Sequence, residues 1–576
     1  MAMTHSAHAA TEAQETVDVV VVGSGAGGLA AAVSAAERGL RVLVLEKEDV
    51  IGGATARSGG WAWTPGTFFA REDGVVEDPE EFRTYLRAVI GERYQEENID
   101  AFLEAAPRMV DFFHHHTRLS FTPGAAIKDI YGTLPGAGTG HRSVGPDPLN
   151  AAELPEEIRA ILAPQYYETS FLGMGIMAGP DLMGFLAASR LKPRGLIHAA
   201  RRVLRHAVDM LRYRRSYQLV NGTALVGRLA WSAHDRGVRF RTGAPVTQLL
   251  LDESGEGRVL GVRLAGGEEI RARRGVVLAT GGFPANQELR KELFPRTETG
   301  EEHHTLAPDS ARGDGLAMAR QAGGQLSEGY SSPAAWCPVS LVPYLNGKTG
   351  VFPHIMDRAK PGSIGVLSTG RRFVNEANGY HDYVSAMLAS APEGEPAQSW
   401  QIADSTFVRR YPLGMAKPFP IPLTPYLRSG YLVKGRTLRE LAEKCGIDPE
   451  GLEQTVREFN ANACRGEDPE FGRGSTPFNR YGGDAATTPN PSLAPIEKGP
   501  FYAVRVLPGS FGTFAGIVAD GHARVLHRDG HPIPGLWTAG NDRASVMSGF
   551  YPAGGTNLGP ALTFGFVAGQ DIAETP

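Results

Sequence analysis

The stretch "VDVVVVGSGAGGLAAAVSAAERGLRVLVLEKE", residues 17–48, constrains the fold more than any other part of the chain. Val19 to Val22 form an unbroken β-branched run, which suits a parallel strand buried on both faces. Gly23, Gly25 and Gly28 then supply G-x-G-x-x-G around Ala26, and "RVLVLE" forms a second strand ending on Glu46, 18 residues past Gly28 and just ahead of Lys47. Strand, tight turn, helix and strand in this order aim helix N–H groups at a pyrophosphate and the acid at ribose hydroxyls. The pattern predicts a Rossmann-like α/β dinucleotide domain, and a carboxylate at Glu46 disfavours the 2′-phosphate of NADP.

Downstream glycine clusters separate FAD from NAD. "IGGATARSGG", residues 51–60, follows the second strand and offers Gly53, Ala54, Thr55, Ser58, Gly59 and Gly60. "GVVLATGGF", residues 275–283, is another buried strand ending in Thr280, Gly281 and Gly282, and "GLWTAGND", residues 535–542, closes on Gly540 and Asn541. The backbone at position 245, ahead of Val246, is counted with them. Three strand-to-glycine junctions able to face one ligand suit an extended FAD better than NAD. Near the C-terminus "SGFYPAGGTNLGPALTFGFVAG", residues 548–569, mixes glycines with Tyr551 and no charge, and reads as a backbone cradle.

At 576 residues and 42% hydrophobic, the chain exceeds one core and predicts two domains, one inserted in the other. A net charge of -5 gives no support to nucleic-acid binding. Cys337, Cys445 and Cys464 form no C-x-x-C pair, so neither a disulfide framework nor a zinc ribbon is indicated, and a cytoplasmic setting is expected. The N-terminus lacks a signal-peptide pattern and reads as a disordered leader, and no run is long enough to span a membrane. His114, His115 and His116 point 100° apart on a helix and cannot converge on a metal. Residues 190–215 carry nine Lys/Arg against the single acid Asp209, with apolar residues interleaved at helical spacing. That segment is either a solvated helix face or a peripheral contact with an anionic membrane or a redox partner.

These segments in this order resemble the fumarate reductase/succinate dehydrogenase flavoprotein superfamily and, within it, the 3-ketosteroid 1-dehydrogenases. "GRRFVNEANGYHDYVSAM", "NRYGGDAATTPNPSLAP", "TAGNDRASVM" and "YPAGGTNLGPALTFGFVA" add to the resemblance, which covers nearly the whole chain. It implies an FAD domain over 17–288 and 511–576, interrupted by an α+β catalytic domain over 289–510, with residues 1–16 as leader. It also implies N–H groups from Gly559 onward at the flavin pyrimidine, with Asn557 and Leu558 beside them. The flavin is expected to be non-covalent, because Ala54 stands where covalent relatives carry histidine.

Dicarboxylate reductases of the superfamily place histidine and arginine in the C-terminal motif, where this chain has Ala553 and Asn557. A doubly charged substrate needs fixed guanidinium partners, so succinate-type acids are disfavoured. The resemblance instead gives Tyr551 and the N–H of Gly555 the substrate carbonyl, Tyr380 the α-proton, Tyr131 support of the Tyr380 anion, and flavin N5 the β-hydride. Tyr383 is the alternative base. The implied reaction is 1,2-desaturation of a 3-ketosteroid or related small apolar ketone, with a quinone or other acceptor. The alternatives are a dehydrogenase of smaller cyclic ketones and a flavin enone or fumarate-type reductase.

Overall fold

The computed structural model describes residues 15–252, 257–330 and 332–575. The expected leader lies outside the described residues as far as position 14, and its last two residues already belong to strand β1 (Glu15–Val22). β1 runs parallel to β2 (Val42–Leu45) on one side and to the strand Glu269–Leu278 on the other. Arg239–Arg241 adds beyond β2, and Pro532–Thr538 beyond Glu269–Leu278, both again parallel. The valine run is completely buried, as a central parallel strand covered on both faces requires.

Register decides where the ligand edge lies. Val22 is level with both Leu45 and Leu278, and Leu278 is level with Thr538. Gly23, Glu46, Thr280 and Gly540 therefore leave the sheet at one carboxyl edge, where open α/β sheets bind nucleotides.

Helix α1 (Ala26–Glu37) packs on the C-terminal helix Leu558–Glu574. Here the cradle reading needs correction. A Cβ on Gly565 would lie 2.3 Å from Gly27 O, one on Gly569 2.5 Å from Ala31 O, and one on Gly559 2.0 Å from Trp63 O. These glycines permit close packing of backbone on backbone. The N–H of Gly559 also already donates to Gly555 O at 2.9 Å, so only the residues before it remain for a ligand.

The inserted region carries an antiparallel sheet in the order Ser363–Val366, Ser399–Ala403, Phe501–Val506, Val433–Gly435. Ile364, Ile402 and Ala503 meet Leu441, Leu452 and Phe459 of the helices Leu438–Cys445 and Pro449–Ala463 in a separate core. The expected boundary at 510/511 falls inside the strand Gly509–Thr513, which pairs with His304–Thr305 and Ala334–Trp336. The three histidines end the helix Glu96–His116. Cys337 and Cys445 are buried and Cys464 is exposed.

The basic segment forms the second helix of the hairpin Pro180–Ser189 and Pro193–Tyr213. His206 and Asp209 are buried, bonding Leu172 O and Tyr217 N, while Ile197, Leu204 and Leu211 are exposed by 70%, 67% and 88%. Arg194, Arg201, Arg205 and Arg212 are exposed beside them, so this helix presents cations and apolar side chains together to water.

Candidate active site

A continuous cavity of about 830 Å³ runs from the carboxyl edge of the parallel sheet to the inserted region. At its nucleotide end, Glu46 Oε2 accepts from Ser24 N at 3.2 Å and Ser24 Oγ at 2.5 Å, and Oε1 from Glu48 N at 3.0 Å. These bonds hold the carboxylate against the cavity with lone pairs left for hydroxyl donors. Lys47 also lines the cavity and pairs with Asp314 at 2.5 Å.

The glycine fingerprint divides into two roles. Gly23 has φ +106° and a Cβ there would sit 2.1 Å from Ala279 O, so only glycine lets the two strand ends meet. A Cβ on Gly28 would sit 2.1 Å from Gly23 O, and Gly28 does not line the cavity. Gly25 does, with only Thr55 Oγ1 nearby at 3.5 Å, leaving room for a ligand to approach the backbone. The Ala26 N–H is already given to Thr55 Oγ1 at 2.9 Å, which ties the fingerprint to the second cluster.

Gly53, Ala54, Thr55, Ser58, Gly59 and Gly60 all line the cavity, as do Val246, Thr280, Gly281, Gly540, Asn541, Asn557 and Leu558. Ser58 Oγ is turned into its own loop, donating to Thr55 O and accepting from Gly60 N. Pro245 and Gly282 lie outside the lining. Asp542, which sequence reasoning passed over, explains Gly282: its carboxylate accepts from Thr280 N at 2.5 Å, Thr280 Oγ1 at 2.9 Å and Gly282 N at 2.8 Å. The signal was present as an acid directly after the Gly540-Asn541 junction.

At the far end Tyr380 and Tyr551 meet edge to face, ring centroids 4.9 Å apart. Burial pushes both phenols above their ordinary value, while Arg358 pulls Tyr380 back down. Tyr551 is held from behind: His381 stacks on it at 5.9 Å, accepts from Trp336 N and bonds the Gly549 backbone, burial keeping the imidazole neutral with its pKa at about 3. Pro552 O accepts from Ile130 N at 2.9 Å and Tyr85 OH at 2.6 Å.

Gly555 completes this corner. Its φ of +99°, and a Cβ position only 2.7 Å from Trp61 O and Trp63 N, exclude any other residue. Its carbonyl accepts from Trp63 N and Gly559 N, and its own N–H has no acceptor among the described residues. Tyr551, Tyr380 and Gly555 thus line one cavity.

Two tyrosines do not join them. Tyr383 is buried under the Arg358 guanidinium, bonds Ser399 Oγ at 3.0 Å and does not line the cavity. Tyr131 gives its hydroxyl hydrogen to Asp382 Oδ1 at 2.7 Å, so the expected support of Tyr380 through that hydroxyl is not made.

The segment before Tyr380 is fixed by buried charge. Arg372 donates to both oxygens of Glu376 at 2.8 Å and to Asp468 at 2.7 Å, and Arg473 adds a bond to Glu376 at 3.1 Å. The spacing in "RRFVNE" sets this pair, and it delivers Gly379 and Tyr380 to the start of the helix Tyr380–Ser390.

An FAD fits these residues on three observations. The carboxyl edge, Glu46 and the open Gly25 form one lined trough, and Asn557 Oδ1 is a buried polar atom without a partner among the described residues. A family model described as an FAD binding domain matches residues 18–558. The chain belongs to that family. The flavoprotein is 41% identical over 562 residues to a 4-oxocyclohex-2-ene-1-carboxylate 5-dehydrogenase of Sinomonas cyclohexanicum, covering 97% of this chain and 94% of that one. It is 36% identical over 573 residues to a 3-oxosteroid 1-dehydrogenase of Mycobacterium tuberculosis, covering 97% and 98%. The 3-ketosteroid delta1-dehydrogenase from Sterolibacterium denitrificans, solved with 1,4-androstadiene-3,17-dione, superposes with a TM-score of 0.89 at 34% identity over 98% of this chain and all of that one. The resemblance to the ketosteroid dehydrogenases therefore stands, and the flavoprotein is an FAD-dependent oxidoreductase.

Proposed function

We propose that this protein desaturates a cyclic ketone beside its carbonyl. The observation that carries the reading is that Tyr551, Tyr380 and Gly555 line one cavity, the two phenol rings in contact and the Gly555 N–H unbonded among the described residues. Two donors on one oxygen form a hole for an enolate, each contributing on the order of 3 kcal/mol. Tyr551 OH and Gly555 N–H donate to the ketone oxygen, and Tyr380, having released its phenolic proton to solvent, takes the α-proton as the phenolate. The buried Arg358 favours the anion that Tyr380 must present, and His381 holds the Tyr551 ring in place. FAD, when bound, supplies the acceptor for the second hydrogen. Ala553 and Asn557 stand where a fumarate-type site needs histidine and arginine, which weighs against the reductase alternative. The relatives are named for substrates of two sizes, steroids and single-ring keto acids, and both contain this ketone. Anaerobic mixing with cyclohexanones and 3-ketosteroids should bleach the flavin absorbance. Bleaching by dicarboxylates alone would refute the reading.

The mixed basic and apolar surface of the hairpin supports a peripheral membrane contact as well. Exposed Ile197, Leu204 and Leu211 are flanked by Arg194, Arg201, Arg205 and Arg212, the arrangement that suits an anionic bilayer surface. Among the described residues no helix is long and apolar enough to cross a membrane. Flotation with phosphatidylglycerol vesicles should retain the protein and lose an Ile197→Asp/Leu204→Asp variant; equal retention of both would refute this.

A further inference from the structure

Arg358, Lys360 and Lys417 all line the cavity, in a part otherwise walled by Phe352, Ile355, Met356, Phe419 and Ile421. Asp484 and Asp357 act on Lys360, and Asp357 and Asp382 on Arg358, whereas Asp357 is the one carboxylate acting on Lys417. Asp357 is already held by His354 Nδ1 at 2.7 Å and by Gly414 N at 2.9 Å.

The three cations differ in what holds them. The Arg358 guanidinium donates to the carbonyls of His354, Glu376 and Asn378. Lys360 Nζ donates to Gly482 O at 2.8 Å and Gly483 O at 2.7 Å. Lys417 is half-buried and, among the described residues, its ammonium has no hydrogen-bond acceptor and no ion pair, only the Phe352 ring 5.8 Å away. Burial lowers its pKa to about 8, which leaves it charged at neutral pH.

A ligand that fills this apolar end strips water from Lys417. A neutral ligand leaves the charge without compensation, whereas a carboxylate pairs with it through a charge-assisted hydrogen bond. We infer that Lys417 is a carboxylate-binding residue and that the preferred substrate is a cyclic ketone bearing a remote acid group. This rests on the ketone desaturation proposed above. It also differs from the dicarboxylate reductase arrangement, because Asn557 leaves the C-terminal motif without its guanidinium and the acid is instead recognised from Lys417.

The test compares 4-oxocyclohexanecarboxylate with its methyl ester on the FAD-loaded enzyme, reading the ratio of the two kcat/KM values, which does not depend on the active fraction. The wild type should favour the acid at least tenfold. Lys417→Met and Lys417→Gln should each lower the ratio about tenfold to a hundredfold, mainly through KM for the acid, as expected for a charged hydrogen bond to a group remote from the reaction. Lys417→Arg should keep most of the preference. An unchanged ratio in both neutral variants, or a wild type that favours the ester, would overturn the assignment. Turnover of a 3-ketosteroid but of neither probe would overturn the subsite while the desaturation reading stands; no turnover of any ketone would overturn both.

Discussion

Tyr131 donates its phenolic hydrogen to Asp382 at 2.7 Å, although Tyr380 stands only two residues before that carboxylate. Burial pushes the Asp382 carboxyl from 3.8 up to about 6, even with this bond drawing it down. Because the folded pKa is raised, the stability it carries is complete below about 4 and is lost as pH rises through 6.

Asp382→Asn should therefore stabilise the protein at pH 8 relative to pH 4, by on the order of 2–3 kcal/mol, while keeping an acceptor for Tyr131. Thermal melts at both values check this, and an equal change at each would contradict it. Tyr131→Phe leaves Asp382 without that donor, so it should lower stability by roughly 1–2 kcal/mol. It should not move the pH profile of turnover in the way that loss of a direct partner of Tyr380 would.

Glu376 titrates in the opposite sense. Burial raises its carboxyl, but Arg372 and Arg473 outweigh burial and hold it down at about 2. Its contribution is present above its ordinary 4.5 and is lost as pH falls toward 2. Glu376→Gln leaves two buried guanidinium groups short of a partner and should cost about 3–5 kcal/mol. Urea unfolding at pH 7 measures it; a loss below 1 kcal/mol would contradict the role given to this network.

How legible the molecule was from sequence differs by region. The valine runs and G-x-G-x-x-G announced β1, α1 and β2 because local spacing alone sets them, and the glycine junctions of the other two strands announced the ligand edge. Tyr551 and Gly555 were legible through their motif, and both line the cavity. Asp542, Arg358 and His381 were not, because each acts on a partner distant in sequence, and Lys417 was not, because only the fold brings it to the cavity. Tyr131 misled for the same reason: its motif gave a position, and only the fold could give the direction of its hydroxyl. The hairpin Pro180–Ser189 and Pro193–Tyr213 contributes Phe185 and Leu186 to the cavity although it lies outside the region 289–510 expected to line it.

Asp542→Ala removes one carboxylate from three donors of the Thr280-Gly281-Gly282 segment at the ligand edge. Each stranded buried donor costs about 1–3 kcal/mol, so the variant should lose flavin on dialysis and melt lower. Retention of full flavin absorbance after dialysis would show that the clamp is dispensable.

In the proposed reaction Tyr380 removes the α-proton of a ketone held by Tyr551 and Gly555. With the flavin held reduced under anaerobic conditions, the wild type should still exchange α-protons of a bound ketone for solvent deuterium, followed by mass spectrometry. Tyr551→Phe should slow the exchange about a hundredfold to a thousandfold, since one of two donors to the developing oxyanion is lost. Tyr380→Phe should abolish it, although a ketone still perturbs the flavin spectrum. Undiminished exchange in Tyr380→Phe would contradict the account.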